Sequence, residues 1–461
     1  MCRYTTTLIG VLAVAAGQAQ ADDPASSPRP IPLTRPEMKQ LLEDMKTRKP
    51  RIPLPELTED DRAKLGDRGT GYESRLRFHF MSTGEGRGGG GGGGFGGERD
   101  SAMSLDNAFK VELFWIVCRA NNCQYCQGHQ ESKLLRAGRT EEQIAALDGD
   151  WAGVSPAQRA AFTFARKITY EPHLFTDNDI EQLRKHYTDL QILEMLLSVA
   201  GNNAINRWKE GVGVPQSATG GGFGGVRGGE AAPAQKHTYL TPTPEKYKDA
   251  ISKVAPLVYD EQTGLPTRKT LSRRPPLEGR ADVEKALEAA RKRSPRLPLV
   301  EDAKARALLP AEWPKAPLPQ WVRLLANFPG SGKNRIVSQR NADEKGDLKP
   351  LLKAQVSWII ARQDRAWYAA GEAKRKLKNL GQSDDQIHKL DSDWADFTPT
   401  ERALFTVARQ LAASPVVLTD EEVARAVKLA GPRDVVQLIS YTTTRASFDR
   451  ITEAAGLQLE E

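Results

Sequence analysis

Apolar residues recur at helical spacing along much of the chain. In "SPAQRAAFTFARKIT" (155–169) they return every few positions behind Ser155, with Pro156 in first-turn place. "TDNDIEQLRKHY" (176–187) opens on Thr176 as N-cap and carries acidic residues in its first turn. "DLQILEMLLSVAGNNAINRW" (189–208) continues as a largely buried helix. "FKVELFWIVCRANNCQYCQGHQESKLLRAG" (109–138) reads as an apolar helix that breaks near Asn121-Asn122 and restarts with Asn122 as N-cap. No period-two alternation persists anywhere. The pattern predicts an all-α fold.

The same pattern occurs twice. Residues 137–168, "AGRTEEQIAALDGDWAGVSPAQRAAFTFARKI", align without a gap on residues 380–411, "LGQSDDQIHKLDSDWADFTPTERALFTVARQL", and 15 of the 32 positions are identical. The offset is 243, so Trp151 maps to Trp394, Pro156 to Pro399, Arg159 to Arg402 and Arg166 to Arg409. "RKPRIPL" (48–54) echoes "RSPRLPL" (293–299), and "LFTD" (174–177) echoes "VLTD" (417–420). This is an internal duplication. It places one helical unit at about 36–217 and a second at about 281–459, joined by a Gly/Pro/Lys-rich linker at 218–280. The expected architecture is two tandem helical bundles packed as a pseudo-dimer.

Composition adds limits. A chain of 461 residues fits two or three domains. The formal charge of +7 is modest, and no basic run interleaves with aromatics, so nucleic acid is not an expected partner. The densest basic stretch, "RKTLSRRPP" (268–276), lies among prolines and reads as solvated linker. The N-terminus reads as a secretory signal: Arg3, an apolar run Leu8 to Ala16, and Ala19-Gln20-Ala21 as an A-x-A cleavage site. That run is too short to span a bilayer, and no later segment is apolar enough. Residues 1–21 are therefore expected to be removed, 22–35 to be a disordered N-terminus, and the mature chain to be secreted or periplasmic. Cleavage leaves Cys118, Cys123 and Cys126, an odd count that fits one pair and one spare. The Gly-rich tracts at 86–97 and 220–229 read as flexible loops. "GSGKN" (330–334) fails as a phosphate loop because Asn327 stands where a glycine is required and Asn334 replaces Ser/Thr.

The chemistry gathers in "NNCQYCQGHQ" (121–130). With Asn122 as N-cap, Cys123 and Cys126 fall in the first turn of a helix, where the dipole favours a thiolate. One thiol can then attack while the other resolves. His129 follows one turn later as a proton exchanger, and Glu112 is the remote carboxylate that tunes it. Haem attachment is excluded because Gln127 occupies the position after the pair, and a thioredoxin-like site would need a strand before it. A zinc site from Cys118, Cys123, Cys126 and His129 and a structural disulfide stay open.

Glu112, Cys123-x-Tyr125-Cys126 and His129 in a helical unit, with "AINRW" (204–208) downstream, resemble the carboxymuconolactone decarboxylase-like superfamily, in its alkyl hydroperoxidase D-like, peroxidase-related branch. The resemblance covers unit one with its site and unit two without it. It implies bundles of alkyl hydroperoxidase D-like type and peroxide reduction by a redox-active Cys123–Cys126 disulfide. It also implies Cys126 as the peroxidatic thiol, Cys123 as the resolving one, and His129 with Glu112 as proton relay. A hydroperoxide is then the substrate and a dithiol the reductant, with no cofactor and no metal, and a homo-oligomer fits the branch. Two spacings depart from it. Only Gln127 and Gly128 separate Cys126 from His129 where three residues are usual, and Glu112 is one residue nearer the pair. In a regular helix this turns His129 by about 100°.

Unit two lacks every reactive group. Glu112 becomes Gln355, Cys123 Ala366, Cys126 Ala369, His129 Glu372 and Cys118 Ala361, while Tyr125 and Gly128 persist as Tyr368 and Gly371. Cys118 is accordingly read as a packed core thiol. The remaining histidines, His79, His173, His186, His237 and His388, do not cluster. The leading function is an exported thiol-dependent peroxidase. The alternatives are a non-catalytic scaffold with a structural disulfide and a decarboxylase-like lyase, whose chemistry does not need paired thiols.

Overall fold

The computed structural model describes residues 26–66, 71–81, 100–216, 238–260, 262–267, 276–310, 313–314 and 316–460. The signal segment 1–21, the Gly-rich tracts and residues 218–237 of the linker lie outside the described residues. So does the start of the segment expected to be disordered; its later part, Arg29 to Leu33, is tied down. Asn122 Nδ2 donates to the carbonyls of Arg29 and Pro30, Arg119 Nη2 donates to that of Pro32, and Ile31 is buried.

Helices dominate. In chain order they are α1 (Arg35–Asp44), α2 (Glu59–Leu65), α3 (Tyr72–Phe80), α4 (Asn107–Asn121), α5 (Gln124–Arg136), α6 (Glu141–Ala146), α7 (Pro156–Tyr170), α8 (Asp177–Arg184) and α9 (Asp189–Val212). There follow α10 (Arg280–Arg291), α11 (Asp302–Arg306), α12 (Gln320–Leu325), α13 (Ser331–Glu344), α14 (Pro350–Asp364), α15 (Trp367–Asn379), α16 (Asp384–Lys389), α17 (Pro399–Ala412), α18 (Asp420–Ala430) and α19 (Pro432–Ala454). The only strands among the described residues are Val258–Tyr259 and Pro266–Thr267, a two-residue antiparallel ladder with Val258 opposite Thr267. The fold is all-α, and no described helix is long and apolar enough to cross a membrane.

Six helices of the first half, α4 to α9, each begin 243 positions before a counterpart, α14 to α19. Their ends have the same local causes. Ser155 with Gln158 and Thr398 with Glu401 form capping boxes ahead of Pro156 and Pro399. Trp151 and Trp394 both sit at positive φ, 61° and 65°, and each indole NH donates to a carbonyl four residues back, Leu147 and Leu390. A bulky residue is costly in that region. Those indole bonds hold it there, which explains why both halves keep the tryptophan.

In the first half α4 packs on α5, α7 and α9; in the second α14 packs on α15, α17 and α19. Trp115, Phe162 and Trp208 of the first half and Trp358, Phe405 and Phe448 of the second are buried in one continuous apolar cluster. The halves meet along α9 and α19. A Cβ at Gly211 would lie 2.7 Å from Ile439 Cγ2, so glycine is what allows this approach. Two polar contacts are exchanged between the halves. Arg207 donates to Ala412 O while Arg450 donates to Thr169 O; Arg51 pairs with Asp420 while Arg296 pairs with Asp177. At the glycine-containing turn before α13, the amides of Gly330 and Ser331 donate to the Asp100 carboxylate at 2.8 and 2.7 Å, so an internal anion occupies that helix start.

Candidate functional site

The site is built on the junction of α4 and α5. Asn122 adopts the left-handed conformation (φ 56°, ψ 35°); its N–H bonds Arg119 O at 3.3 Å, and the N–H of Cys123 bonds Cys118 O at 2.9 Å. This is a Schellman closure of α4. Asn122 therefore ends one helix where the sequence reading had it start the next. Asparagine suits both places, and its side chain is fixed here by the carbonyls of residues 29 and 30. The N-cap of α5 is Cys123, and Cys126 follows in the first turn.

Cys118, Cys123 and Cys126 are free thiols, each at most 2 % exposed. They lie together in the core: the protonation of Cys126 is influenced by both Cys123 and Cys118, and Asn206 Nδ2 donates to Cys118 Sγ at 3.4 Å. Cys118 is a packed core thiol, as expected, and it shares that core with Cys123 and Cys126. Burial raises the pKa of all three, those of Cys123 and Cys126 well above the ordinary thiol value. The helix start was expected to favour thiolate; desolvation outweighs it.

The charges around the pair are unequal. Glu210 lies against Cys123 and adds to the burial that raises that thiol. Burial opposes the charge of Glu210 itself, but Arg48, Arg29 and Arg51 outweigh it and hold the carboxyl below its usual range; Arg48 and Arg29 pair with it at 3.2 and 3.1 Å. On the other side, Lys209 favours charge on Cys126. Its ammonium stands 4.9 Å from the Tyr125 ring centroid and pairs with Glu73. Lys133 is depressed by burial, against which Cys118 and Cys126 act.

His129 and Glu112 have different neighbours. His129 is four residues beyond Tyr125, not Cys126. Its Nδ1 hydrogen-bonds Tyr125 O at 3.0 Å, and the two rings pack 4.5 Å apart. Burial, with Lys209 and Lys133 nearby, pushes its pKa down to about 4. The residue one full turn from Cys126 is Gln130, whose Nε2 donates to Cys126 O at 3.2 Å. Glu112 pairs with Arg139 at 2.8 Å and also meets Gln158; burial raises its pKa against the pull of Arg139. The carboxylate next to the thiols is Glu210. Its one advance signal was a charged Lys209-Glu210 step inside a buried helix.

A cover closes over α5. Gln216 Nε2 donates to Tyr125 O at 3.1 Å, and a Cβ at Gly128 would lie 2.3 Å from that nitrogen and 2.8 Å from the Tyr239 hydroxyl. The counterpart Gly371 is crowded at 2.2 Å by Leu459, which is the 243-offset counterpart of residue 216. Both halves keep this glycine because the segment after the long helix crosses it. Among the described residues no three His, Cys, Asp or Glu side chains are arranged to hold a metal ion. No known family profile matches the chain, and no curated protein matches it.

Proposed function

We propose that the protein is an exported, thiol-dependent peroxidase of alkyl hydroperoxidase D-like kind, with one redox-active unit and one degenerate unit packed as a pseudo-dimer. The observation that carries it is the contact of Cys123 with Cys126 across the first turn of α5, with Glu210 on the side of Cys123 and Lys209 on the side of Cys126. That asymmetry favours negative charge on Cys126, which supports Cys126 as the attacking thiol and Cys123 as the resolving one. The Cys126 thiolate attacks a peroxide oxygen, the O–O bond breaks, and the leaving alkoxide takes a proton to become an alcohol. Cys123 then attacks the Cys126 sulfenic acid, the S–S bond forms, and water leaves. An external dithiol restores the pair.

Burial of the thiols supports small hydroperoxides as substrates, admitted by local opening. His129 enters as a neutral imidazole packed on Tyr125, and Glu112 as the anchor of Arg139. The exchanged contacts of Arg207 with Arg450, and of Arg51 with Arg296, support the pseudo-dimer because an isologous interface repeats each contact in reverse. A second reading, a scaffold with an inert buried dithiol, is favoured by the same burial.

The test is peroxide consumption by residues 22–461 with dithiothreitol as reductant. Turnover that disappears in Cys126→Ala supports the peroxidase. Consumption no faster than that of Cys126→Ala leaves the scaffold.

A further inference from the structure

The peroxidase reading uses two thiols and leaves the third, Cys118, without a task. Its placement is not accidental packing. The Schellman closure joins Cys118 and Cys123 through the 2.9 Å bond from Cys123 N to Cys118 O, and such a closure sets the two side chains against each other. Cys126 lies in the first turn of α5, buried in the same core, where its protonation and that of Cys118 act on each other. Asn206, on α9, donates to Cys118 Sγ at 3.4 Å, a bond that orients a sulfur as acceptor. Unit two keeps the turn: Arg365 is left-handed at φ 53°, and Ala366 N bonds Ala361 O at 2.9 Å. Yet all three sulfur positions are alanine there, Ala361, Ala366 and Ala369. The fold needs none of the three thiols, and they are lost together.

We propose that Cys118 is a second resolving thiol, able to take Cys126 into a Cys118–Cys126 disulfide and to pass it on to Cys123. This rests on the peroxidase reading for its oxidant. The Cys126 sulfenic acid reacts with the Cys118 thiol; the S–S bond forms as the S–O bond breaks, and the hydroxyl leaves as water with the Cys118 proton. The Cys123 thiol then attacks Cys126 in that disulfide, forming Cys123–Cys126 and returning Cys118 to the thiol by proton transfer from Cys123. The oxidised pair thereby moves from the base of the junction to the N-terminal turn of α5. A sulfenic acid with two neighbouring thiols is protected from over-oxidation even when one neighbour is displaced by opening of the turn.

The chain carries its own assay. Trypsin cuts after Arg119, so Cys118 lies in the peptide Val111–Arg119 while Cys123 and Cys126 share Ala120–Lys133. A Cys118–Cys126 disulfide links two peptides; a Cys123–Cys126 disulfide stays within one. The test uses Cys123→Ala in residues 22–461, alanine being what unit two holds at this place, treated with one equivalent of hydrogen peroxide or, in parallel, with diamide. The expected result is the linked peptide pair in both arms, and loss of the link, with dimedone-reactive Cys126 after peroxide, in Cys118→Ala/Cys123→Ala. Sulfenic or sulfinic acid at Cys126 beside an unreacted Cys118 overturns the proposal, as does absence of the link in both arms. A link with diamide and untouched thiols with peroxide supports the pairing and overturns the peroxidase reading alone.

Discussion

Arg207 and Arg450 make one bond in opposite directions: Arg207 Nη2 donates to Ala412 O at 2.8 Å, and Arg450 Nη2 to Thr169 O at 3.0 Å. The donors are counterparts in the two halves, and so are the acceptors. Both guanidiniums are fully buried. Arg450 is also held by Asp364 at 2.8 Å, while its counterpart Arg207 leans on Asn203 at 3.0 Å.

Arg450→Ala leaves Asp364 as a buried carboxylate without its cation and strips the Thr169 carbonyl. Breaking a buried pair on one side costs about 3–5 kcal/mol. Urea denaturation should show a fall of that size, and Arg450→Ala/Asp364→Ala should recover part of it. A change under about 1 kcal/mol would show that the contact carries no stability.

Removing residues 281–461 uncovers the α9 face, including Gly211 and its neighbours. The remaining unit should self-associate or precipitate, read by light scattering. A monomeric 22–280 that keeps full peroxide turnover would refute the pseudo-dimer.

Gly128→Ala pushes a methyl group to within 2.3 Å of Gln216 Nε2, so the cover must lift. Overpacking of this kind costs about 1–3 kcal/mol. Cys126 should then react faster with iodoacetamide in the native state, while the unaltered chain, its thiols buried and raised, labels slowly until denatured. Equal labelling rates for the two native chains would show that the cover does not control access.

His129 titrates near 4 in the fold against an ordinary value of 6.5. Between those values the unfolded chain binds a proton that the folded chain does not, so stability is full above 6.5 and falls as pH drops to 4. The loss is on the order of 3 kcal/mol. His129→Gln should flatten the stability profile between pH 6.5 and 4. An unchanged slope in that variant would assign the acid loss to other groups.

Helix identity was legible because its causes are local. Ser155 with Pro156 and Thr176 with Asp179 fix two helix starts by contacts within four residues. Asn122 misled because capping a helix start and closing a helix end call for the same residue type, and only the 29–30 carbonyls decide between them. The cysteines were visible as a motif, but their surroundings were not. Glu210 reaches Cys123 from 87 positions away along a helix that is buried on most of its surface, so its faces cannot be told apart by polarity. Burial itself reverses the expected acidity of the thiols, and it comes from packing in the helical core that no local pattern reveals.

The exchanged arginine bonds join segments of one polypeptide. An encounter between two separate copies obeys second-order statistics and fails on dilution; an encounter within one chain is first-order, with an effective concentration in the millimolar range for a flexible tether. The face that α19 lays on α9 is therefore occupied at any protein concentration, down to single molecules. Dilution that would dissociate a two-chain assembly leaves this contact in place.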